Sequence, residues 1–342
     1  MGADNNLSAG DEPGLRFAVV MGADGKVRDL TWAGIAQWRP ADGFLWIHLE
    51  RDDPAAQAWI REKSGIDPQT AGLLLAEESR PRVQDFDDDM LIVLRGVNRS
   101  AAAAADADGR ARTQLVPVHI WAEAARCISL RDTAHSLDAL RDIRRSLLLG
   151  KGPRTIGALL ALIAEKLVDH LGEMTDELEA AVAEIEDKVC DNRGDPALRM
   201  EISSARRGIV QLRRYLSPQR DALYRLQHDD ASWLDADARH RLRDVSERLV
   251  RHIEDIDELR SRATILNEDF TNLLTEGALR ASNRLTALAS LVLPPSLFAA
   301  MLGVNVTGIP GADDPYAFLW FCLLIGGVTL AIWGGLKWLK WL

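Results

Sequence analysis

The chain has 342 residues, of which 47% are hydrophobic, 27% charged and 6% aromatic, a composition that argues against wholesale disorder and against a fibrous protein. The formal net charge of −10 argues against sequence-independent binding of nucleic acid, which depends on clustered Lys and Arg. The three cysteines form no CxxC pair, so neither a disulfide framework nor a cysteine-built zinc site is predicted.

Residues 1–152 predict a cytoplasmic α+β domain with a mixed sheet and flanking helices. Short β-rich runs separated by Gly, Pro and Asp predict strands at residues 15–21, 44–49, 90–94, 115–120 and 126–130. Proline in the first turn supports two of the three helices predicted, which cover residues 54–63, 68–77 and 137–149. Residues 100–112, with five successive alanines, predict an exposed hairpin insertion.

An acidic turn precedes one of the predicted strands. It contains Asp85, Asp87, Asp88 and Asp89. A solvated turn is the favoured interpretation, because Asp is common in turns, and a cation site is the alternative.

Residues 153–284 predict a bundle of long amphipathic helices and a stalk. Apolar residues at three-or-four spacing predict a first helix over residues 159–189, whose opposite face is strongly acidic. That face offers Glu173, Asp176 and Glu177 as candidate ligands for regulatory divalent ions at a subunit interface. Simple solubility is the alternative explanation for these carboxylates.

Two more long helices follow in this region. The second is predicted over residues 197–226, with a break at Ser217 and Pro218. The third begins near Ala238 and meets no proline before Pro294. A continuous helix from Ala238 to Asn305 would be roughly 100 Å long, a rod through which the soluble part could drive the membrane part mechanically.

Residues 285–342 predict a transmembrane hairpin with a basic C-terminal tail. No residue is charged from 285 to 312 or from 315 to 336, which predicts spans at about 285–305 and 316–336. Lys and Arg flank the hairpin outside these runs, and the start of the chain has no apolar signal core. The positive-inside rule therefore predicts a multi-pass membrane protein with both termini in the cytoplasm.

The loop between the two spans faces outward in this topology. Its only charged residues are Asp313 and Asp314. These carboxylates would raise the local cation concentration at an outer mouth, with a solvated loop of no particular role as the alternative.

The sequence contains no Walker A motif, no Gly-x-Ser-x-Gly and no dinucleotide fingerprint, so an enzyme is not expected. Two helices cannot enclose an aqueous path, so a conducting protein would need several copies around an axis. A membrane-anchored coiled-coil scaffold is the alternative from another functional class.

Gly303, Val304 and Asn305 stand at the outer end of the first span. In this architecture they make the chain similar to the CorA superfamily of divalent-metal transporters, whose signature at that position is Gly-x-Asn. The continuation over residues 306–311 resembles the zinc-transporter ZntB branch rather than the magnesium branch. The sequence departs from the family at Thr307, where glycine is usual, and at a second proline in the first span.

The resemblance implies a homopentamer in which five copies of the first span line a pore. By helical spacing back from Asn305, the side chains that would face the axis are Ser282, Leu285, Ala289, Leu293, Ser296 and Met301 or its neighbour Leu302. A ring of Asn305 amide oxygens would select a hydrated divalent cation without dehydrating it, whereas Leu285 and Leu293 would close by dewetting. Asn305 as a simple helix C-cap is the alternative.

The resemblance also implies Zn²⁺ as the transported ion, moved in the uptake direction across the bacterial inner membrane. Mg²⁺, Co²⁺, Ni²⁺ and Cd²⁺ stay open, because the spans contain no histidine and a single cysteine, Cys322, so the pore chemistry does not separate zinc from magnesium. Proton coupling, the direction of flux and the position of the gate are also left open. No cofactor is implied, and the expected partners are further copies of the chain, the lipid bilayer and divalent cations.

Overall fold

The computed structural model describes residues 12–22, 25–77, 80–98, 114–132, 137–150, 152–191, 195–302 and 315–338. The chain divides into two compact units. The first consists of Met1–Glu184 and Ile202–Thr264, and the second of Ile185–Glu201 and Ile265–Leu342. The domain boundaries expected after residues 152 and 284 stay predictions.

A seven-stranded mixed sheet organises the first unit, with the strand order β2-β1-β3-β7-β6-β5-β4. The strands are β1 (Leu15–Met21), β2 (Val27–Asp29), β3 (Phe44–Glu50), β4 (Arg82–Phe86), β5 (Asp89–Asn98), β6 (Gln114–Ala122) and β7 (Arg126–Arg131). Strands β3 and β7 are parallel, and the other neighbouring pairs of this sheet are antiparallel. The predicted mixed sheet is confirmed.

Helices cover both faces of the sheet, so its strands are apolar on both sides. The shorter helices are α1 (Trp32–Gln37), α2 (Pro54–Glu62), α3 (Pro68–Leu75) and α4 (Asp138–Leu148). Because successive side chains on a strand point to opposite faces, β1 contributes Ala18 and Val20 to one core and Phe17 and Val19 to the other. The first of these cores contains residues of α1, α2 and α3. The second contains α4 and the long helices.

The long helices are α5 (Ile156–Asp191), α6 (Pro196–Gln227) and α7 (Ala236–Leu302). The predicted break at Ser217 and Pro218 is wrong, because α6 continues through Pro218. An interior proline removes one helix hydrogen bond. Here the residues on both sides of it are held by other contacts: Arg213 Nη1 donates to Ser217 Oγ, and Gln219 is fixed to the sheet.

The second unit contains the end of α5, the start of α6, the C-terminal part of α7, and α8 (Ala317–Trp338). Within it, Lys188 Nζ lies 3.1 Å from Glu201 Oε2 and joins α5 to α6. Its buried apolar side chains include Ile185, Val189, Leu198, Leu266 and Phe270. The two predicted spans therefore correspond to the last part of α7 and to α8.

Every strand and helix predicted in the α+β part is present, with ends that shift by a few residues. Four short elements were not predicted, namely β2, β4, α1 and a 3₁₀ helix at Pro40–Asp42. The hairpin predicted at residues 100–112 lies outside the described residues.

A buried amide of α6 replaces a missing strand neighbour of β5. Strand β4 begins at Arg82, opposite Val93, so it does not reach as far as Arg95 of β5. Gln219 fills this gap: its Oε1 accepts from Arg95 N at 2.8 Å, and its Nε2 donates to Arg95 O at 3.2 Å. One side chain therefore satisfies both main-chain groups of Arg95 and fixes α6 against the sheet.

A buried histidine of β6 is held in its neutral form. His119 Nδ1 lies 2.8 Å from the carbonyl oxygen of Leu74 in α3, so this nitrogen donates, whereas the buried Nε2 has no hydrogen-bond partner among the described residues. Burial lowers the pKa of His119 from 6.5 to about 4, with a smaller contribution from the charges of Arg51 and Arg82. Protonation would place an unpaired charge in the core.

We expect Gln219→Leu to destabilise the first unit by about 2 kcal/mol, because it leaves two buried main-chain groups unsatisfied. The measurement is the melting temperature of the full-length protein in detergent. Gln211→Leu, on an exposed position of the same helix, is the matched control and should change it little. Equal melting temperatures for the Gln219 variant and the control would contradict this assignment.

Acidification should destabilise the protein in part through His119. The unfolded chain binds a proton near pH 6.5 and the folded chain only near pH 4, so the stability that neutral His119 provides is present above pH 6.5 and is lost as the pH falls toward 4. His119→Gln should therefore make the melting temperature less dependent on pH between 7 and 5. The exposed His240→Gln variant should keep the slope of the unmodified protein; identical slopes for all three proteins would refute the prediction.

Candidate functional site

The second unit exposes a large apolar surface along α7 and α8. Both helices contain an 18-residue stretch apolar enough to cross a membrane, and almost none of either stretch is buried. Side chains more than 60% exposed include Leu285, Leu293 and Met301 on α7 and Phe318, Leu324 and Leu330 on α8. Soluble proteins rarely expose such a patch, whereas helices satisfy their own backbone groups in hydrocarbon. Lipid or further copies of the chain must therefore cover these helices.

Charged and aromatic side chains mark the predicted cytoplasmic ends of both apolar segments. Arg280 and Arg284 are exposed on α7 just before its apolar part. At the end of α8, Lys337 Nζ lies 5.2 Å from the Trp333 ring, and Trp338 is 85% exposed. This combination of cations and indole rings is typical of the lipid headgroup region.

All six predicted pore-lining positions lie on α7 and are exposed in a single chain. At about 100° per residue, five of them fall within an arc of roughly 80°. We call this the pore arc; it consists of Ser282, Leu285, Ala289, Leu293 and Ser296. Met301 lies outside it. Ala287, on the opposite side of the helix, is buried, whereas all five residues of the pore arc are exposed.

A pair of prolines interrupts the hydrogen bonding of α7 beside the pore arc. The helix continues through Pro294 and Pro295. Neither residue has an N–H, so the carbonyl groups of Ser290 and Leu291, four residues earlier, lack the main-chain donors that a regular helix supplies. This part of the helix therefore offers two acceptor oxygens that water or another protein group can use.

The predicted selectivity motif Gly303, Val304 and Asn305 lies outside the described residues, as do Asp313 and Asp314. Their assigned roles stay predictions. The helix that leads to the motif is described up to Leu302.

The three metal-ligand candidates on α5 are exposed. Glu173, Asp176 and Glu177 occupy one helix. In the part of the chain that the structure describes, no three His, Cys, Asp or Glu side chains are grouped so as to hold a metal ion. A site built from these residues would therefore need ligands from a second copy, and it stays a prediction.

Other carboxylates of α5 bind arginines of α7, which the sequence reasoning missed. Glu165 Oε2 lies 2.8 Å from Arg241 Nη2, and Asp169 Oδ1 lies 2.7 Å from Arg248 Nη1. From the first pair to the second, the residue numbers increase on both helices, so α5 and α7 run parallel. The seven-residue spacing of the arginines on α7 is the signal that could have identified this contact. These pairs are half-exposed, so they set the register of the helices more than their stability.

The acidic turn before β5 also has a structural role. Asp88 accepts from Ser232 N at 2.7 Å, and its carbonyl oxygen accepts from Trp233 Nε1 at 2.6 Å, which fixes the loop between α6 and α7. Burial, followed by the charges of Glu123 and Asp88, raises the pKa of Asp89 to about 6. The favoured interpretation as a turn agrees with these contacts.

The chain is similar to known membrane transport proteins over most of its length. The sequence profile described as "CorA-like Mg2+ transporter protein" matches residues 41–337. The zinc transport protein ZntB of Pectobacterium carotovorum is 35% identical over 301 residues, which cover 87% of this chain and 88% of that protein. The divalent cation transporter CmaX of Pseudomonas aeruginosa is 34% identical over 338 residues, 98% of each chain.

Solved structures agree with this result. The structure of the full-length CmaX protein superimposes with a TM-score of 0.81 at 33% identity and covers 97% of this chain and 100% of its own. The CorA magnesium transporter from Methanocaldococcus jannaschii gives a TM-score of 0.80 at 18% identity, with 94% of this chain and 96% of that chain covered. The second likeness concerns the fold alone.

The pore arc can be tested by cysteine accessibility. In a chain with Cys190 and Cys322 changed to serine, we expect Leu293→Cys to react with a charged, water-soluble thiol reagent. Phe298→Cys, which lies on the opposite side of α7 and is 46% exposed in one chain, should react at least tenfold more slowly in membranes. The native Cys127 can stay, since burial raises the pKa of its thiol and keeps it unreactive. Faster labelling at position 298 than at 293 would place the aqueous path on the other side of the helix.

Proposed function

Since the chain belongs to the CorA-like Mg2+ transporter family, we propose that it is a divalent-cation transporter of the bacterial inner membrane, with Zn²⁺ as its cargo. The observation on which the proposal rests is the exposed apolar hairpin whose first helix presents the pore arc. The proposed activity has no chemical step, because the cation crosses the membrane without any bond being made or broken in the protein.

The pore is formed by several copies of the chain, which we propose to be five. One hairpin cannot enclose water, so the pore arcs of neighbouring copies must face a common axis. The apolar remainder of α7, with α8, then contacts lipid and the other copies. This arrangement gives each exposed surface of the hairpin a partner of matching polarity.

The cation passes with its hydration shell. The pore arc offers hydroxyl groups and aliphatic side chains but no carboxylate, histidine or thiol, so it has no ligand set that would replace the water around Zn²⁺. Ser282 and Ser296 can hydrogen-bond to hydrating water, and rings of Leu285 and Leu293 would form dewetting constrictions. Selection is assigned to a ring of Asn305 amide groups, with Asp313 and Asp314 concentrating cations at the outer mouth.

The choice of zinc follows the relatives. ZntB, whose name is zinc transport protein, is 35% identical over 87% of this chain. The pore chemistry accepts other hydrated divalent ions, so we propose Zn²⁺ as the preferred and not the exclusive cargo, moved in the uptake direction.

Helix α7 provides a route for regulation. It packs against α5 in the first unit and continues to the apolar segment of the second. Divalent ions bound between copies at Glu173, Asp176 and Glu177 would change the packing of α5, and α7 would transmit the change to the pore arc.

Transport can be measured with the purified protein in liposomes that contain a zinc-sensitive dye. We expect Zn²⁺ influx above that of empty liposomes, and a lower influx of Mg²⁺ under the same conditions. A second series with an inward proton gradient determines whether the flux is proton-coupled. Flux equal to that of empty liposomes would rule out the proposal. Equal Zn²⁺ and Mg²⁺ flux would mean that the protein transports divalent cations without a preference for zinc.

Asn305→Ala should reduce the preference of Zn²⁺ over monovalent cations at least tenfold, because the amide ring that recognises the hydrated ion is lost. Asn305→Gln keeps the amide and should retain part of the selectivity. The exposed Phe298→Leu serves as a control for substitutions elsewhere on α7. If selectivity is unchanged in Asn305→Ala, selection occurs at another level of the pore.

A further inference from the structure

The first unit contains a basic cavity that cation transport does not use. The cavity has a volume of about 250 Å³ and lies between one face of the sheet and helix α4. Four guanidinium groups line it, from Arg16 on β1, Arg131 on β7, and Arg141 and Arg144 on α4. The rest of the lining is mostly apolar, apart from the buried ring of His48. Positive charge on three different elements disfavours a cation at this site.

The described residues that line the cavity include no carboxylate. The carboxylates that contact its arginines belong to residues outside this lining. Arg16 Nε and Arg131 Nη2 both lie near Glu50 Oε1, at 2.7 and 3.9 Å. Arg144 pairs with Asp29 at 3.0 Å, and Arg141 pairs with Asp138 at 3.2 Å. The wall of the cavity itself is therefore positively charged.

Three further observations are consistent with a site for a negatively charged group. The Nε of Arg144 is buried and has no hydrogen-bond partner among the described residues, although such donors are normally satisfied. The pKa of Arg131 is lowered, first by burial and then by the charge of Arg16. The pKa of His48 is lowered to about 3, again mainly by burial and then by Arg131. An anion in the cavity would relieve this crowding of positive charge.

We propose that this cavity binds a phosphate dianion, either free or as part of a small phosphate monoester. Guanidinium groups bind phosphate and carboxylate through paired N–H donors. The donors here converge from β1, β7 and α4, which suits the tetrahedral oxygens of phosphate better than the two coplanar oxygens of a carboxylate. The bound ligand would link α4 to the sheet and stabilise the first unit. This proposal is independent of the proposed transport function.

Calorimetric titration of the full-length protein in detergent, at constant ionic strength, tests the site. We expect saturable binding of inorganic phosphate and a rise in melting temperature that follows the same concentration dependence. The double variant Arg16→Gln and Arg141→Gln should weaken binding at least tenfold. These side chains are 48% and 70% exposed, so both can be removed with little effect on the core. The double variant Arg16→Lys and Arg141→Lys keeps the charge but loses the paired donors. Its affinity for phosphate should lie between that of the unmodified protein and that of the glutamine variant.

The matched control removes two exposed arginines elsewhere, Arg220→Gln and Arg243→Gln, and should bind phosphate as the unmodified protein does. Glycerol phosphate distinguishes the source: tighter binding than inorganic phosphate supports a monoester ligand, and weaker binding supports the free ion. Absence of saturable binding, or equal affinity in the pocket variant and the control, would overturn the proposal. Acetate that binds as tightly as phosphate would make this a carboxylate site and would refute the phosphate assignment.

Discussion

Helix α7 has to be stable in two environments, and its side chains change along its length to meet both. In the first unit it buries apolar residues such as Leu242, Leu249 and Ile256 at seven-residue intervals, while its arginines face the carboxylates of α5. Beyond Leu285 charge disappears and the apolar side chains become exposed. The same helical backbone suits both parts. In hydrocarbon, a helix satisfies its own N–H and C=O groups. In water, packing of its apolar face against neighbouring helices stabilises it. Helices α5 and α6 cover its first part, whereas lipid, α8 and further copies must cover the last.

The charges of the first unit are separated in a way that the net charge of −10 conceals. Many carboxylates lie on exposed helix faces, whereas four arginines converge on one cavity between the sheet and α4. A protein that transports cations through its membrane part thus contains, in its cytoplasmic part, a cavity whose arginines favour an anion. The positive charge around this cavity repels the cations that the membrane part transports.

The sequence predicts well those elements whose apolar pattern depends on burial. Strands β3 and β6 are covered on both faces and read as continuous apolar runs, and the long helices follow from their spacing. Strand β2 was missed because it has three partly exposed residues, and β4 because its polar side chains alternate at the margin of the sheet. The break at Pro218 was wrong because Gln219, a contact distant in sequence, fixes the helix there. The basic cavity could not be predicted either, since Arg16, Arg131 and Arg144 meet only through the sheet order. The pore-lining role of the pore arc came from the family resemblance together with helical spacing, and it stays a prediction because the residues that would face it belong to other copies of the chain.

The proline pair in α7 has a consequence for how the protein is made. When this segment first enters the bilayer as a single helix, the carbonyl groups of Ser290 and Leu291 meet hydrocarbon without a donor, and each such group costs several kcal/mol. Water in a pore, or a neighbouring helix, can supply these donors once copies of the chain assemble. Assembly therefore lowers the cost of holding this segment in the membrane, which links insertion of the hairpin to formation of the pore.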